Sequence, residues 1–328
     1  MKEALFWETA EDGRVKCFLC PHNCLISEGK SGFCRQRKNV KGKLYTLNYG
    51  RVSSYGVDPI EKKPLYHFYP GSLIFSLGTL GCNFRCRFCQ NWQIAQVEDG
   101  PAVEITPERA IELARSFKGN IGIAYTYSEP LIWYEYVLET ARLAKEKGLK
   151  NVLVTNGFAN EKPLKDLLPY IDAMNIDVKG FTREFYKEYI KGDLSPVIET
   201  VERASKECHV EITTLLIPGL NDSEEDIRAL SRWLGSLKRD IPLHLTRYFP
   251  NYKMDLPPTP VETMKKAREI AAAELDYVYL GNIRNEGNNT YCPRCRTLLI
   301  ERTGTVKFQG LSQNGKCSNC GREINIVM

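Results

Sequence analysis

The sequence predicts an α/β fold, a partial (βα)6 TIM-like barrel held between two cysteine-rich ends. Two observations carry that prediction. Short apolar, β-branched runs alternate with capped amphipathic stretches from Leu73 to Leu280, the pattern of parallel strands joined by helical crossovers. The cysteines are not scattered: Cys17, Cys20, Cys24 and Cys34 form one set, Cys82, Cys86 and Cys89 a second, and Cys292, Cys295, Cys317 and Cys320 a third, with Cys208 alone. The expected organisation is a cysteine-rich N-terminal segment over 1–72, the barrel over 73–281 and a zinc-ribbon-like module over 282–328.

Each element has a local reason. In the N-terminal segment, Pro21, Gly29 and Gly32 supply turns among the first four cysteines. Residues 51–72 contain Asp58-Pro59 and Lys63-Pro64, which break helices, so a packed connector is expected there. Leu73–Gly78 is the first apolar strand. Thr106-Pro107-Glu108 opens a helix with an N-cap threonine and proline at the first position. Strands follow at Ile121–Tyr125, Asn151–Thr155, Ala173–Val178, His209–Ile217, Pro242–Tyr248 and Tyr277–Leu280. Helices are expected over Leu131–Lys147, closed by Gly148, over 182–207 in two pieces around Pro196, over Ser223–Leu237 and over Val261–Glu274. About six βα units fit a partial barrel, whose functional groups belong at the C-terminal ends of its strands.

The first strand leads straight into Gly-Cys82-Asn-Phe-Arg-Cys86-Arg-Phe88-Cys89. Thiolates are the ligands that iron–sulfur clusters select, and three so close can hold three irons of a [4Fe–4S] cube. The loop offers no fourth cysteine, so one iron would stay open to a chelating small molecule. Half of a zinc site is the bland alternative. This C-x3-C-x2-C spacing, with an aromatic before the last cysteine, resembles the signature of the radical S-adenosylmethionine (SAM) enzymes. The resemblance implies that SAM chelates the open iron and is cleaved reductively to methionine and a 5′-deoxyadenosyl radical.

Further stretches narrow the resemblance. Cys-Pro-His-Asn-Cys24, Tyr127-Ser128-Glu129-Pro130, Thr155-Asn156-Gly157, Asp177-Val-Lys179, Pro218-Gly219-Leu-Asn221-Asp222 and the C-terminal cysteine pairs are together similar to the radical SAM enzymes of the AmmeMemoRadiSam system. Those are related to pyruvate formate-lyase activating enzymes. Tyr127 and Ser128 stand where the superfamily's Gly-Gly-Glu-Pro motif has glycines, and the resemblance implies that the backbone there and Glu129 hold the methionyl amino group. Asn156 falls where ribose or carboxylate contacts are expected, Phe88 beside the cluster, and Asp177 and Lys179 on one face of the fourth strand end. Lys179 is the one candidate catalytic side chain besides the three cluster cysteines. The activating enzymes carry a histidine on a late strand near SAM, which makes His244 a ligand-contact candidate and Arg247 the next in line. A core histidine and an ordinary Asn-Gly turn are the bland readings of His244 and Asn156.

The two ends read as further metal sites. Cys17, Cys20, Cys24 and Cys34 could fill a tetrahedral zinc site or hold a second cluster. Cys292-Pro-Arg-Cys295 and Cys317-Ser-Asn-Cys320 form two knuckles around β-like segments, the zinc-ribbon pattern; a single iron is the alternative, because four thiolates take either metal.

Composition bounds the rest. Hydrophobic residues make up 43% and charged residues 26% of the 328, as in a globular protein. No apolar run approaches the roughly 18 residues of a membrane span, and Met1–Glu11 is charged, without the apolar stretch of a secretory signal. A cytoplasmic location and no membrane partner are therefore expected. The net charge is +5, with basic excess at the two ends, which solvated surface charge explains; nucleic acid is not the expected partner. An activating-enzyme-like oxidoreductase implies SAM, an electron donor such as a ferredoxin or flavodoxin, and a substrate that could be a residue on a partner protein. Residues 1–72 and 282–328 are expected to cover the open side of the barrel and shape substrate access. An RNA-modifying enzyme and a non-catalytic metal-bearing binding module are the rival readings.

Overall fold

The structure is a computed structural model that describes residues 1–283 and 287–328; residues 284–286, at the start of the expected C-terminal module, lie outside the described residues. Its centre is an eight-stranded sheet. Seven strands run parallel in chain order: Leu73–Gly78, Asn120–Thr126, Lys150–Thr155, Ala173–Asp177, His209–Leu216, Leu243–Arg247 and Val278–Gly281. These are the seven strands expected from the sequence. The eighth, Ser54–Pro59, lies antiparallel against Leu73–Gly78. The connector expected over 51–72 therefore begins with an edge strand. It tolerates Pro59 because a proline at an edge forfeits no inner ladder bond.

The helices form for the reasons read from the chain. Thr106 caps Pro107–Ser116 by accepting from the Arg109 N–H, and Ser223 caps Glu224–Leu237 by accepting from the Asp226 N–H. The helical stretch after residue 182 breaks earlier than Pro196 suggested. Lys191 takes a left-handed backbone (φ 59°), and Pro196 lies in the first turn of Ser195–Glu207, where its missing N–H costs nothing.

Each sheet face is buried against something different. Phe75, Leu77, Tyr125, Leu153, Met174, Ile176 and Ile212 pack with the helices into the main core. Ile74, Ala124, Val152 and Ala173 face the other way and pack on Ile60, Leu65 and Phe68 of the connector. Strands buried on both faces read as continuous apolar runs, which is why they were legible. Two three-stranded antiparallel sheets build the N-terminal segment and one more builds the C-terminal module. The last residues return to the connector: the Tyr69 N–H donates to Val327 O at 2.7 Å and the Val327 N–H to His67 O at 2.8 Å.

Candidate active site

The cysteine loop leaves the first parallel strand through Thr79, Leu80 and Gly81. Gly81 has φ 84°, and a Cβ there would lie 2.7 Å from Cys34 O, so the position excludes a side chain. The loop is pinned along its length: Gly81 N–H donates to Ile94 O (2.8 Å), Arg85 N–H to Ile190 O (2.8 Å) and Arg87 N–H to Tyr189 O (3.1 Å). Asn83 Nδ2 donates to Phe158 O at 2.9 Å, beyond the third parallel strand. Cys82, Cys86 and Cys89 are thus presented at the C-terminal strand ends.

Neighbouring strand ends reach toward these sulfurs. Asn156 Nδ2 lies 3.7 Å from Cys82 Sγ and donates to Asn83 Oδ1 at 2.8 Å. The Phe84 N–H points at Cys82 Sγ at 3.3 Å. Asp177 and Lys179 form an ion pair, Oδ2 to Nζ 3.0 Å, whose charges act on Cys86 and Cys89. Burial pushes the Cys86 thiol up to about 12, against the pull of the Lys179 ammonium. Burial disfavours the Lys179 charge, but Asp177 and Cys86 outweigh it and hold the ammonium above the ordinary lysine range.

Glu129 is fully buried, and its carboxylate ties two strand ends together. Oε1 accepts from Leu131 N–H (2.9 Å) and Thr155 Oγ1–H (2.6 Å), and Oε2 from Asn156 N–H (2.8 Å). A carboxylate has about four acceptor directions, so one remains. Burial raises its pKa to about 7 although all three hydrogen bonds favour the charged form. Ser128 follows a cis peptide from Tyr127; its hydroxyl donates to Gly81 O and its N–H to Thr79 O at 3.2 Å. Ser128 therefore holds the entry of the cysteine loop. Phe88 is buried and stacks on Phe185 with ring centres 6.1 Å apart, so it anchors the loop from below.

Two candidates are turned elsewhere. His244 lies level with Thr213 and Asp177 in the sheet register, but its Nε2 meets Glu211 Oε2 at 2.6 Å, one inward layer beneath. Tyr66 and Tyr279 enclose the ring. The core-histidine reading holds for it, because a buried carboxylate captured the ring. Arg247 donates through Nε to Thr259 O at 2.6 Å, a bond that fixes the next loop.

Sequence reasoning missed three residues that build this region. Asn83 links the loop to Asn156. Asn221 donates to Lys179 O at 2.7 Å and so sets the backbone that carries the ammonium. Glu211 gathers Tyr66 N–H, His67 N–H, His209 and His244. A charged residue set between Val210 and Ile212 was the available signal for Glu211, since such a group is buried only with partners.

The terminal cysteine sets differ from each other. Cys292, Cys295, Cys317 and Cys320 have all four sulfurs within 4.8 Å of one another, with Cys292–Cys320 and Cys295–Cys317 both at 3.6 Å. Zn–S bonds of ~2.3 Å in a tetrahedron put sulfurs roughly 3.8 Å apart, so this set fits one metal ion. Cys17, Cys20, Cys24 and Cys34 instead line one small pocket together with Leu19, Ile26 and Arg37, and no three of their sulfurs lie within 4.8 Å of one another.

Comparison with known proteins identifies the family. Residues 77–231 match the model of the radical SAM superfamily. The whole chain is 46% identical to an uncharacterised protein of Methanocaldococcus jannaschii, covering 100% of both. About half of it (51%) is 24% identical to 72% of the pyruvate formate-lyase-activating enzyme of Clostridium pasteurianum. The fold is similar to that of Streptococcus suis SuiB bound to SAM, with a TM-score of 0.52 and 15% identity over 63% of this chain and 49% of that one. The chain belongs to the radical SAM superfamily and is related to the pyruvate formate-lyase activating enzymes. It is an enzyme of the radical SAM type, a family that implies a [4Fe–4S] cluster and SAM. Among the described residues, no helix is long and apolar enough to cross a membrane.

Proposed function

We propose that the chain binds a [4Fe–4S] cluster through Cys82, Cys86 and Cys89, cleaves SAM reductively there and uses the resulting radical to abstract hydrogen from a residue on a partner protein. The observation that carries the reading is the meeting of three thiols in one loop with the Glu129–Asn156 and Asp177–Lys179 pairs at the C-terminal strand ends. The donor set fits the cluster: three sulfurs with backbone N–H groups directed at two of them, Phe84 to Cys82 and Asn91 to Cys89. When bound, cluster and SAM would supply the electron and the 5′-deoxyadenosyl radical.

The chain's own residues bind and orient. Glu129 keeps one acceptor direction for an ammonium. Lys179, charged and half-buried, offers a donor to a carboxylate or hydroxyl, and Asp177 restrains it. Asn156 holds the loop through Asn83 and Cys82. In this reading the sheet curves as a partial (βα)6-like barrel and its face behind the connector stays dry. The protein would work in the cytoplasm with a ferredoxin or flavodoxin as donor, and the C-terminal knuckles would hold one structural zinc. The resemblance to an activating enzyme supports a protein substrate, a glycine-type hydrogen donor being the simplest.

The test is anaerobic reconstitution with iron and sulfide, reduction, and product analysis with SAM present. 5′-Deoxyadenosine and methionine are expected, with deuterium transferred from a labelled protein partner into the deoxyadenosine. A reconstituted, reduced protein that binds no SAM and forms no deoxyadenosine, even with cell extract added, refutes the reading.

A further inference from the structure

We infer that Cys17, Cys20, Cys24 and Cys34 hold a second iron–sulfur cluster, not a zinc ion, packed directly against the loop of the first. The chain contains its own internal standard for a single-ion site. In the C-terminal module the four sulfurs stand within 4.8 Å of one another, in 3.6 Å pairs. The N-terminal four stand wider: no three of their sulfurs lie within 4.8 Å of one another, and Arg37, Leu19, Ile26 and Ile132 line the small pocket among them. Sulfurs set wider apart than one ion allows are what a polynuclear centre requires, since each thiolate then binds its own iron. A single tetrahedral ion holds its four sulfurs roughly 3.8 Å apart.

The surroundings suit such a group. Each sulfur has an N–H donor beside it. The Phe33 N–H lies 3.4 Å from Cys24 Sγ, and Arg37 Nη1 4.0 Å from Cys17 Sγ. The backbone N–H groups of His22 and Gln36 serve Cys20 and Cys34. Hydrogen bonds to the sulfurs and a dry shell are two of the levers by which a protein sets the potential of an iron–sulfur cluster. Arg37 is buried, pairs with Glu135 and keeps its Nε without a partner. With its charge matched by Glu135, the guanidinium offers the sulfurs a donor, Nη1 toward Cys17, rather than a free counter-charge.

The cavity also abuts the first cluster's loop. His22 Nε2 meets Asn83 O at 2.7 Å, and its ring stacks on Phe33 with centres 4.1 Å apart. Arg85 spans the gap. Its guanidinium donates to Phe33 O and to Cys82 O, lies over the Phe33 ring and is within electrostatic reach of both Cys34 and Cys82. Single side chains, His22 and Arg85, therefore bridge the two cysteine segments. Only this adjacency rests on the function proposed above; the ligation of the N-terminal centre does not.

The test reads acid-labile sulfide, to which a mononuclear C-terminal site contributes nothing. After anaerobic reconstitution, a Cys82→Ala/Cys86→Ala/Cys89→Ala variant should keep about two to four sulfides per chain with matching charge-transfer absorbance, according to the cluster type held. A Cys20→Ser/Cys24→Ser variant should lose that share while keeping the sulfide of the first cluster. Fully reduced wild-type protein should give an EPR spectrum broadened by spin–spin coupling, and each variant an unbroadened one. If the triple variant is folded by circular dichroism, contains zinc beyond that of the C-terminal site and has no labile sulfide, the inference is overturned. Because this variant cannot cleave SAM in any case, loss of activity cannot be mistaken for loss of the second cluster.

Discussion

Replacing Glu211 tests how the face of the sheet opposite the helices is held. Glu211 is wholly buried and accepts four hydrogen bonds: from Tyr66 N–H at 3.0 Å, His67 N–H at 2.7 Å, His209 Nε2 at 3.0 Å and His244 Nε2 at 2.6 Å. Two of the donors belong to the connector, so this carboxylate fastens residues 66–67 to the sheet. Glu211→Ala leaves four buried donors facing a cavity. An unsatisfied buried donor costs about 1–3 kcal/mol, and the histidines can turn toward each other, so a total of about 4–6 kcal/mol is expected. That is a large part of the ~5–15 kcal/mol of a whole domain. Glu211→Gln keeps one carbonyl oxygen but turns an NH2 toward two donors, and should cost about 2–3 kcal/mol. Equilibrium urea unfolding of the anaerobically reconstituted protein reads both values from shifts in midpoint at constant slope. A loss below ~1 kcal/mol in the alanine variant would show that the hub does not hold the connector, and the argument for a sealed face would fall.

Three further outcomes follow from the same geometry. Burial lowers the His67 pKa from 6.5 to about 4, so the unfolded chain binds the extra proton between those values. Stability should therefore rise with pH across that window, by up to about 3 kcal/mol from this group, and a His67→Asn variant should show a flatter slope in urea midpoints over pH 4–6.5. Lys179→Met should keep full cluster iron and sulfide yet lower SAM binding or deoxyadenosine formation about tenfold or more, the ~1.4 kcal/mol of one charge-assisted contact; unchanged SAM affinity and turnover would remove Lys179 from the site. Stripping the metal from Cys292, Cys295, Cys317 and Cys320 should make the C-terminal module protease-sensitive while the central sheet persists. Its own core is small, Leu299, Ile300 and Ile324 with Tyr277 and Tyr279, and small modules depend on their metal.

The seven parallel strands were legible because burial on both faces leaves mainly apolar runs such as Leu73–Gly78 and Ile121–Tyr125. The edge strand Ser54–Pro59 was not, because Ser54, Gly56, Asp58 and Pro59 are poor strand formers whose pairing is decided by the neighbour. The site was legible where chemistry fixes spacing, as in Cys82, Cys86 and Cys89, and where a strand ends, as at Glu129, Asn156 and Asp177. What those polar groups grip was hidden. Asn156 spends its side chain on Asn83, Cys82 and the Phe158 N–H, and Glu129 spends three acceptor directions on protein donors. His244 misled for a related reason: its partner, Glu211, is 33 residues away, and the other half of the hub comes from His67 and Tyr66 in the connector. Local sequence carries no record of such convergence.

The two cysteine-rich ends also divide their labour in a way that spacing could not reveal. Both were expected to cover the open side of the sheet and shape access. The N-terminal set does lie beside the cysteine loop, through His22–Asn83 and Arg85–Phe33. The C-terminal module lies instead against the connector: Arg302 Nη2 donates to Tyr66 O at 2.6 Å, His67 Nδ1 meets Asn325 O at 2.6 Å, and Val327 pairs beside Phe68. The connector in turn covers Ile74, Ala124, Val152 and Ala173, one from each of the first four parallel strands. An open sheet with one face behind a reactive mouth leaks water unless that face is plugged, and a plug of loose chain needs something to press it home. A metal ion held by Cys292, Cys295, Cys317 and Cys320 would give a short tail the rigidity for that task. On this argument, cutting the chain before Asn288 should leave the Cys82–Cys89 loop able to bind iron but loosen the connector. Faster amide exchange at residues 60–69 would be the sign, and full protection of those amides in the truncated protein would refute the plug.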